Sequence, residues 1–206
     1  MRVSVANIVA VTEAEGPGRR FAIWLQGCPL RCVGCCNPEM LPFSGGTPMT
    51  TDQISQAIGE SRRDHSIEGI TLLGGEPFSH AAGASMLAAD TQAVGLSVMV
   101  FSGHTLEQLR GRRDDDVDRL LRHTDILVDG PYVQESPDTT RRWIGSTNQR
   151  IHFLSNRYES TEECWNERET LEIRLADGQL AVNGFPSRSA VGLWKRPKKR
   201  NVSGEK

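Results

Sequence analysis

The sequence has no hydrophobic run long enough to cross a membrane, and its charges are nearly balanced. No apolar stretch approaches the roughly 18 residues that a membrane span requires. The first residues, Met1–Val5, lack the apolar segment and cleavage site of a signal peptide. A formal net charge of −2 gives no global electrostatic case for binding nucleic acid. With 206 residues, we expect one domain with a real core in a cytoplasmic protein.

Cysteine is scarce everywhere except in one short segment. Four of the five cysteines lie between Cys28 and Cys36, and three of them, Cys28, Cys32 and Cys35, have the spacing C-x3-C-x2-C. Clustered cysteines of this kind argue for metal in a reducing compartment and against a disulfide framework. A cubane iron–sulfur cluster usually takes four thiolates, so three ligands leave one iron open for chemistry.

Strand and helix patterns alternate along the first 130 residues. Short apolar runs predict strands at 5–11, 21–26, 69–73, 96–101 and 125–129. Two helices are predicted to begin with a capping box, formed by Thr50 with Gln53 and by Thr105 with Gln108. This order predicts an α/β fold with a largely parallel sheet and right-handed crossovers. The cysteine segment follows the second strand, at the end of the sheet where such folds place their sites.

Two local patterns have more than one interpretation. Gly16-Pro17-Gly18 is a strong turn signal, and a hairpin turn and a ligand contact both remain open. The acidic run Asp114–Asp116 resembles a set of metal ligands. Acidic residues are also favoured in the first turn of a helix, and this is the interpretation that we adopt.

The pattern changes after Tyr132. Residues 133–150 are polar and irregular, and Asp177-Gly178 between two β-type runs predicts a hairpin. The basic segment Lys195–Arg200 predicts a disordered tail, for which solvation is favoured over contact with nucleic acid. We divide the chain into a core at 1–154, an extension with the β-hairpin at 155–185 and the tail at 186–206.

The spacing C-x3-C-x2-C is the signature of radical SAM enzymes, and the segment resembles theirs. A strand that runs into two glycines, as at Gly74–Pro77, lets the backbone approach a ligand closely. In radical SAM enzymes this G-G-E-P position binds the amino group of S-adenosylmethionine (SAM). Gly34 before the third ligand cysteine and Asn37–Glu39 after it are similar to the activating proteins of anaerobic ribonucleoside-triphosphate reductase. The segments 16–18, 128–132 and 145–150 are similar to that family too, so the likeness runs from about residue 7 to residue 151.

The resemblance implies a fold, two cofactors and a set of site residues. The fold is a partial (β/α)6 barrel, and the cofactors are a [4Fe–4S] cluster on Cys28, Cys32 and Cys35 and a SAM molecule on the open iron. The residues that it assigns to SAM binding are Gly34, Cys36, Gly74, Gly75, Glu76, Pro77, Ser102, Gly103 and Asp129. For Asp129, capping of a turn is an equal alternative.

The resemblance also implies an activity and partners. An activase of this family cleaves SAM reductively and generates a glycyl radical on a partner, here a class III ribonucleotide reductase. The electron donor would be a flavodoxin or a ferredoxin. No residue is expected to act as a general acid or base.

Two departures from the family pattern leave alternatives open. Cys36 follows the third ligand where the family has an aromatic or similar residue, and Ile144 precedes Gly145 where the family has arginine. We interpret Cys36 as a thiol that is not a cluster ligand, and Cys164 as a free thiol. The alternatives are a small radical SAM enzyme that acts on a small molecule or peptide, and a non-enzymatic zinc or iron–sulfur module with Cys36 as a fourth thiolate.

Overall fold

The computed structural model describes residues 1–165, 167, 170–176 and 179–184. It contains a seven-stranded sheet with the order β3-β1-β2-β4-β5-β6-β7 and a separate two-stranded sheet, β8-β9. The strands are β1 (Arg2–Thr12), β2 (Arg20–Leu25), β3 (Thr47–Thr50), β4 (Gly69–Gly74), β5 (Ser97–Phe101), β6 (Ile126–Asp129), β7 (Arg150–Phe153), β8 (Leu171–Ala176) and β9 (Gln179–Gly184). The α-helices are α1 (Thr51–His65), α2 (Ala81–Ala93), α3 (Leu106–Arg110) and α4 (Asp115–Arg122).

The middle of the main sheet is parallel and its edges are antiparallel. Strands β2, β4, β5 and β6 run parallel to one another. Strands β1 and β2 form an antiparallel pair, and β3 and β7 are antiparallel to β1 and β6. The predicted mixed α/β architecture is confirmed. The described sheet holds four parallel strands, fewer than a six-stranded parallel set, because the chain enters through a hairpin and leaves through an antiparallel strand.

Local sequence signals explain where the helices begin. The side chains of Thr50 and Thr105 each accept a hydrogen bond from the backbone N–H three residues on. The glutamine at that position accepts, through its side-chain oxygen, from the threonine N–H, so both predicted capping boxes are present. Asp114 is the N-cap of α4, where its carboxylate accepts from the N–H groups of Asp116 and Val117. The acidic run therefore starts a helix, as predicted. No helix in the described part of the chain is both long and apolar enough to span a bilayer.

The two faces of the main sheet carry different layers. Residues of alternate parity point to opposite faces of a strand. Val98 and Val100 of β5 therefore pack into the large core, which also contains Leu87 of α2 and other apolar side chains of the helices. Met99 faces the other way and packs against the buried Trp143 of the segment between β6 and β7. The helices thus cover one face, while irregular segments cover the other.

Part of the C-terminal extension packs onto this second face. Trp165 meets the ring of Trp143 edge to face, with ring centroids 5.2 Å apart. The guanidinium of Arg142 lies 4.2 Å from the Trp143 ring centroid and donates to the carbonyl oxygen of Cys164. Strands β8 and β9 pair as the sequence predicts. The hairpin turn at 177–178 and the basic tail at 186–206 lie outside the described residues.

Candidate functional site

The cysteine loop starts where β2 ends and is fastened at both ends. The N–H groups of Gly27 and Cys28 donate to the carbonyl oxygens of Met40 and Leu41, at 2.8 and 3.0 Å. The Gln26 side chain donates across the neck of the loop to the carbonyl oxygen of Pro42 at 2.7 Å. Residues 27–41 therefore form a closed loop at the carboxyl end of a parallel strand, which is the position that the sequence predicts.

The four thiols of the loop have different surroundings. Cys28 is buried, Cys32 and Cys35 are half-buried and Cys36 is exposed. Burial raises the pKa of Cys28. The N–H groups of Leu30 and Arg31 donate to its sulfur and partly offset this rise. A hydrogen bond from Cys36 lowers the pKa of Cys35 to about 6 and raises that of Cys36. Within the described residues, no three cysteine, histidine, aspartate or glutamate side chains converge to enclose a metal ion.

The second motif, Gly74–Pro77, touches the start of the cysteine loop. The Gly75 N–H donates to the Leu25 carbonyl at 2.7 Å, and the Glu76 N–H donates to the Gly27 carbonyl at 2.9 Å. A Cβ on Gly75 would lie 2.3 Å from the Gly27 carbonyl oxygen, so only glycine allows this approach. Two motifs that are far apart in the sequence thus meet, backbone against backbone.

Glu76 joins this contact to the end of the next strand. Its side chain is fully buried and accepts from the Phe78 N–H and the Ser102 hydroxyl, both at 3.0 Å, and from the Gly103 N–H at 2.9 Å. Burial raises the pKa of Glu76, and the three hydrogen bonds offset this only in part. The predicted cofactor positions Gly74 to Pro77 and Ser102–Gly103 are therefore joined by one carboxylate.

Asp129 lies one strand further along, with its carboxylate occupied by protein groups. It accepts from the Leu106 N–H at 2.6 Å and from Arg150, and His152 lies 2.9 Å away. Burial would raise the pKa of Asp129, but the bonds from Arg150 and Leu106 outweigh it and the pKa lies below its usual value. The side chain thus anchors the start of α3 and β7, which corresponds to the capping alternative.

The segment 145–150 closes a loop rather than supplying reactive groups. The Gln149 amide donates to the Gly130 carbonyl at 3.0 Å and accepts from the N–H groups of Gly145 and Ser146. Asn148 donates to the Pro131 carbonyl at 2.8 Å. These bonds join the two ends of segment 130–149. The motif at 145–150 therefore has a structural role, which its residue types alone did not indicate.

Two further residues were not predicted to be of interest. Gln134, on the segment just described, lies against Gly34: a Cβ on Gly34 would be 2.2 Å from the Gln134 Oε1. Glu15 is buried before the Gly16 turn and accepts from the Gly184 N–H at 2.7 Å. Both contacts join segments far apart in sequence, so no local pattern could have indicated them.

The cysteine spacing of the loop fits an iron–sulfur cluster, although the three thiols of this described segment do not converge around a metal position in the structure. Three thiols at cluster spacing stand on one closed loop. The hydrogen bond from Cys36 lowers the pKa of Cys35, which favours its thiolate, whereas burial keeps the pKa of Cys28 above its usual value despite the N–H groups that donate to its sulfur. The contact at Gly75 brings a second backbone segment close to the loop.

Comparison with known proteins agrees with this assignment. The family model of the 4Fe-4S single cluster domain matches residues 14–152, which sets the class of the protein. The anaerobic ribonucleoside-triphosphate reductase-activating protein of Vibrio cholerae is 33% identical over 69% of this chain and 92% of its own length. The Escherichia coli K12 protein of the same name is 31% identical over 70% and 94%, and the one from phage T4 is 25% identical over 73% and 90%.

The chain belongs to the family of anaerobic ribonucleoside-triphosphate reductase-activating proteins. The predicted resemblance is thereby confirmed. Among solved structures, QueE from Escherichia coli aligns with 51% of this chain and 54% of its own length at 20% identity and a TM-score of 0.40.

Proposed function

We propose that this protein is a radical SAM activase that generates a glycyl radical on an anaerobic ribonucleoside-triphosphate reductase. The observation that supports it best is the backbone contact between the cysteine loop and Gly74–Pro77. Because of this contact, the loop that would hold the cluster lies next to the segment that would bind SAM. The family membership points to the same activity, because its members are named for activating this reductase.

Cys28, Cys32 and Cys35 would hold three irons of a [4Fe–4S] cluster, and the fourth iron would accept SAM. When bound, the cluster supplies one electron that cleaves SAM to methionine and a 5′-deoxyadenosyl radical, which removes a hydrogen from the Cα of the partner's glycine. The closed loop fixes the thiols, and the surrounding residues orient the cofactor and limit the access of water.

The remaining site residues have supporting roles in this proposal. The backbone carbonyl groups of Gly74 and Gly75 would accept from the SAM amino group, with Glu76 contributing negative charge and Pro77 starting the helical turn that follows. Ser102 and Gly103 lie beside the same carboxylate and would face the ribose or carboxylate of SAM. Gly34 and Cys36 would contact the adenine through their backbone. Asp129, whose oxygens already accept from protein groups, would act by positioning the wall of the site.

We also propose that the main sheet forms an incomplete (β/α)6 barrel within a radical SAM core at residues 1–154. In the described sheet β3 and β7 are opposite edges, so a gap between them would admit a polypeptide loop of the partner. The proposed electron donor is a flavodoxin or a ferredoxin. The proposed location is the cytoplasm, whose reducing conditions suit clustered thiols.

Anaerobic reconstitution tests the cofactor assignment. We expect about four irons per chain, an EPR signal that SAM perturbs, and reductive SAM cleavage by the reduced protein. Serine in place of Cys28, Cys32 or Cys35 should abolish the four-iron cluster, whereas Cys164→Ser, a matched control outside the loop, should retain it. Stoichiometric zinc without reductive SAM cleavage would contradict the proposal and favour the zinc module.

The partner assignment has a separate test. The reduced, SAM-loaded protein is incubated with the anaerobic reductase of the source organism, and the EPR doublet of a glycyl radical is expected on the reductase. SAM cleavage without any doublet would favour the alternative enzyme that acts on a small molecule or peptide.

A further inference from the structure

Gln134 occupies a fixed position beside the cysteine loop. The residue before it, Val133, donates its N–H to the hydroxyl of the buried Ser146 at 3.1 Å. Ser136, two residues on, is bonded through its N–H to the Val133 carbonyl at 3.1 Å and through its carbonyl to the Thr147 N–H at 2.8 Å. Gln134 therefore projects from a tight turn whose two flanks are both fastened.

The side chain of Gln134 covers the glycine that precedes the third cluster cysteine. The ideal Cβ position of Gly34 is 2.2 Å from Oε1 and 2.8 Å from Cδ of Gln134, so the carboxamide occupies space that any other residue at 34 would fill. Gly34 has a φ of +74°, which independently favours glycine. Gly34 and Gln134 thus form a matched pair that brings segment 130–149 against the cysteine loop.

The carboxamide of Gln134 has no internal use. The residue is exposed, and within the described parts of the chain its amide has no hydrogen-bond partner. The other glutamine of this segment, Gln149, uses both ends of its amide in bonds to the backbone. An exposed carboxamide offers one acceptor and two donors, a combination that can pair with both the C=O and the N–H of a peptide group.

A glycine residue can be recognised only through its backbone, because it has no side chain. We propose that Gln134 is a partner-binding residue, which hydrogen-bonds the peptide backbone of the glycine-containing loop of the reductase as that loop enters beside Cys35. This inference rests on the proposed function and names the residue through which the chain receives its macromolecular substrate.

The test compares Gln134→Ala and Gln134→Leu with Glu135→Ala, a control at the next exposed position of the same turn. Glycyl-radical formation is measured by EPR against a range of concentrations of the source organism's anaerobic reductase. Both Gln134 variants should raise the KM for the reductase about 2- to 10-fold, the worth of one neutral hydrogen bond, and the control should not. Gln134→Asn, which keeps the amide on a shorter side chain, should fall between them.

The outcomes separate this inference from the function itself. A wild-type protein that forms no glycyl radical contradicts the proposed function before any variant is compared. If the wild type is active and the KM values of the Gln134 variants equal that of Glu135→Ala, Gln134 does not bind the partner. If a Gln134 variant changes the SAM-dependent EPR signal of the reconstituted protein without reductase, the residue belongs to the cofactor site, and the inference is overturned.

Discussion

Glu15 should make the stability of the protein fall as pH rises through neutrality. Its carboxyl group is buried, and burial raises its pKa from 4.5 to about 7 despite the bond from the Gly184 N–H. Because the folded state holds the proton more tightly than the unfolded state, this contribution to stability is fully present below about pH 4.5. It is lost as pH rises through about 7. A shift of this size corresponds to about 3 kcal/mol.

The assay is anaerobic urea unfolding of Glu15→Gln and the wild type between pH 5 and pH 8. The amide cannot ionise, so the wild-type free energy of unfolding should fall relative to the variant by about 2–3 kcal/mol across this range. Taking the difference removes the contributions of histidines and other groups common to both proteins. Glu13→Gln, the same substitution at an exposed position two residues away, is the matched control.

A pH-independent difference between Glu15→Gln and the wild type would refute the argument. It would mean that the carboxyl group of Glu15 exchanges its proton as easily in the folded chain as in water. The contact between the β1–β2 connection and the end of β9 would then not exclude solvent from this side chain.

Three further predictions concern single side chains. Glu76→Gln places an amide N–H against the Gly103 N–H and should lower the free energy of unfolding by about 1–3 kcal/mol. Urea titration measures this change, and an unchanged free energy would contradict the role of this carboxylate. Gln149→Ala removes the bonds that close segment 130–149 and should speed amide hydrogen exchange there, while exchange in the parallel strands stays slow. Asp114→Ala removes the N-cap of α4 and should cost about 1 kcal/mol, more than Asp115→Ala, and neither should change the iron content.

The features that depend on neighbouring residues could be predicted from the sequence. The capping boxes at Thr50 and Thr105 need only a residue and its third neighbour, and both are present. The strand ends that carry Cys28 and Gly74 follow from apolar runs that stop at glycine. The parallel order then brings these ends to the same edge of the sheet.

The features that depend on distant residues could not be predicted. Strand β3 contains Pro48, has no apolar alternation and exists because it pairs with β1. Strand β7 follows a polar loop and is defined by its pairing with β6. The burial of Glu15 depends on Gly184, which is separated from it by almost the whole chain. In each case the deciding partner is remote, so composition and periodicity carry no trace of it.

The bonds from Gly75 to Leu25, the last residue of β2, and from Glu76 to Gly27 continue the β2–β4 pairing past the end of β4 and into the cysteine loop. The two segments that would hold the cofactors are therefore joined by successive backbone hydrogen bonds, which fix their register relative to each other. Evolution can lengthen the chain between Cys36 and β3, or after β7, without disturbing that register. An insertion or deletion at 25–28 or at 73–76 would displace one loop by a whole residue against the other, so relatives that keep the activity should share these two lengths while varying elsewhere.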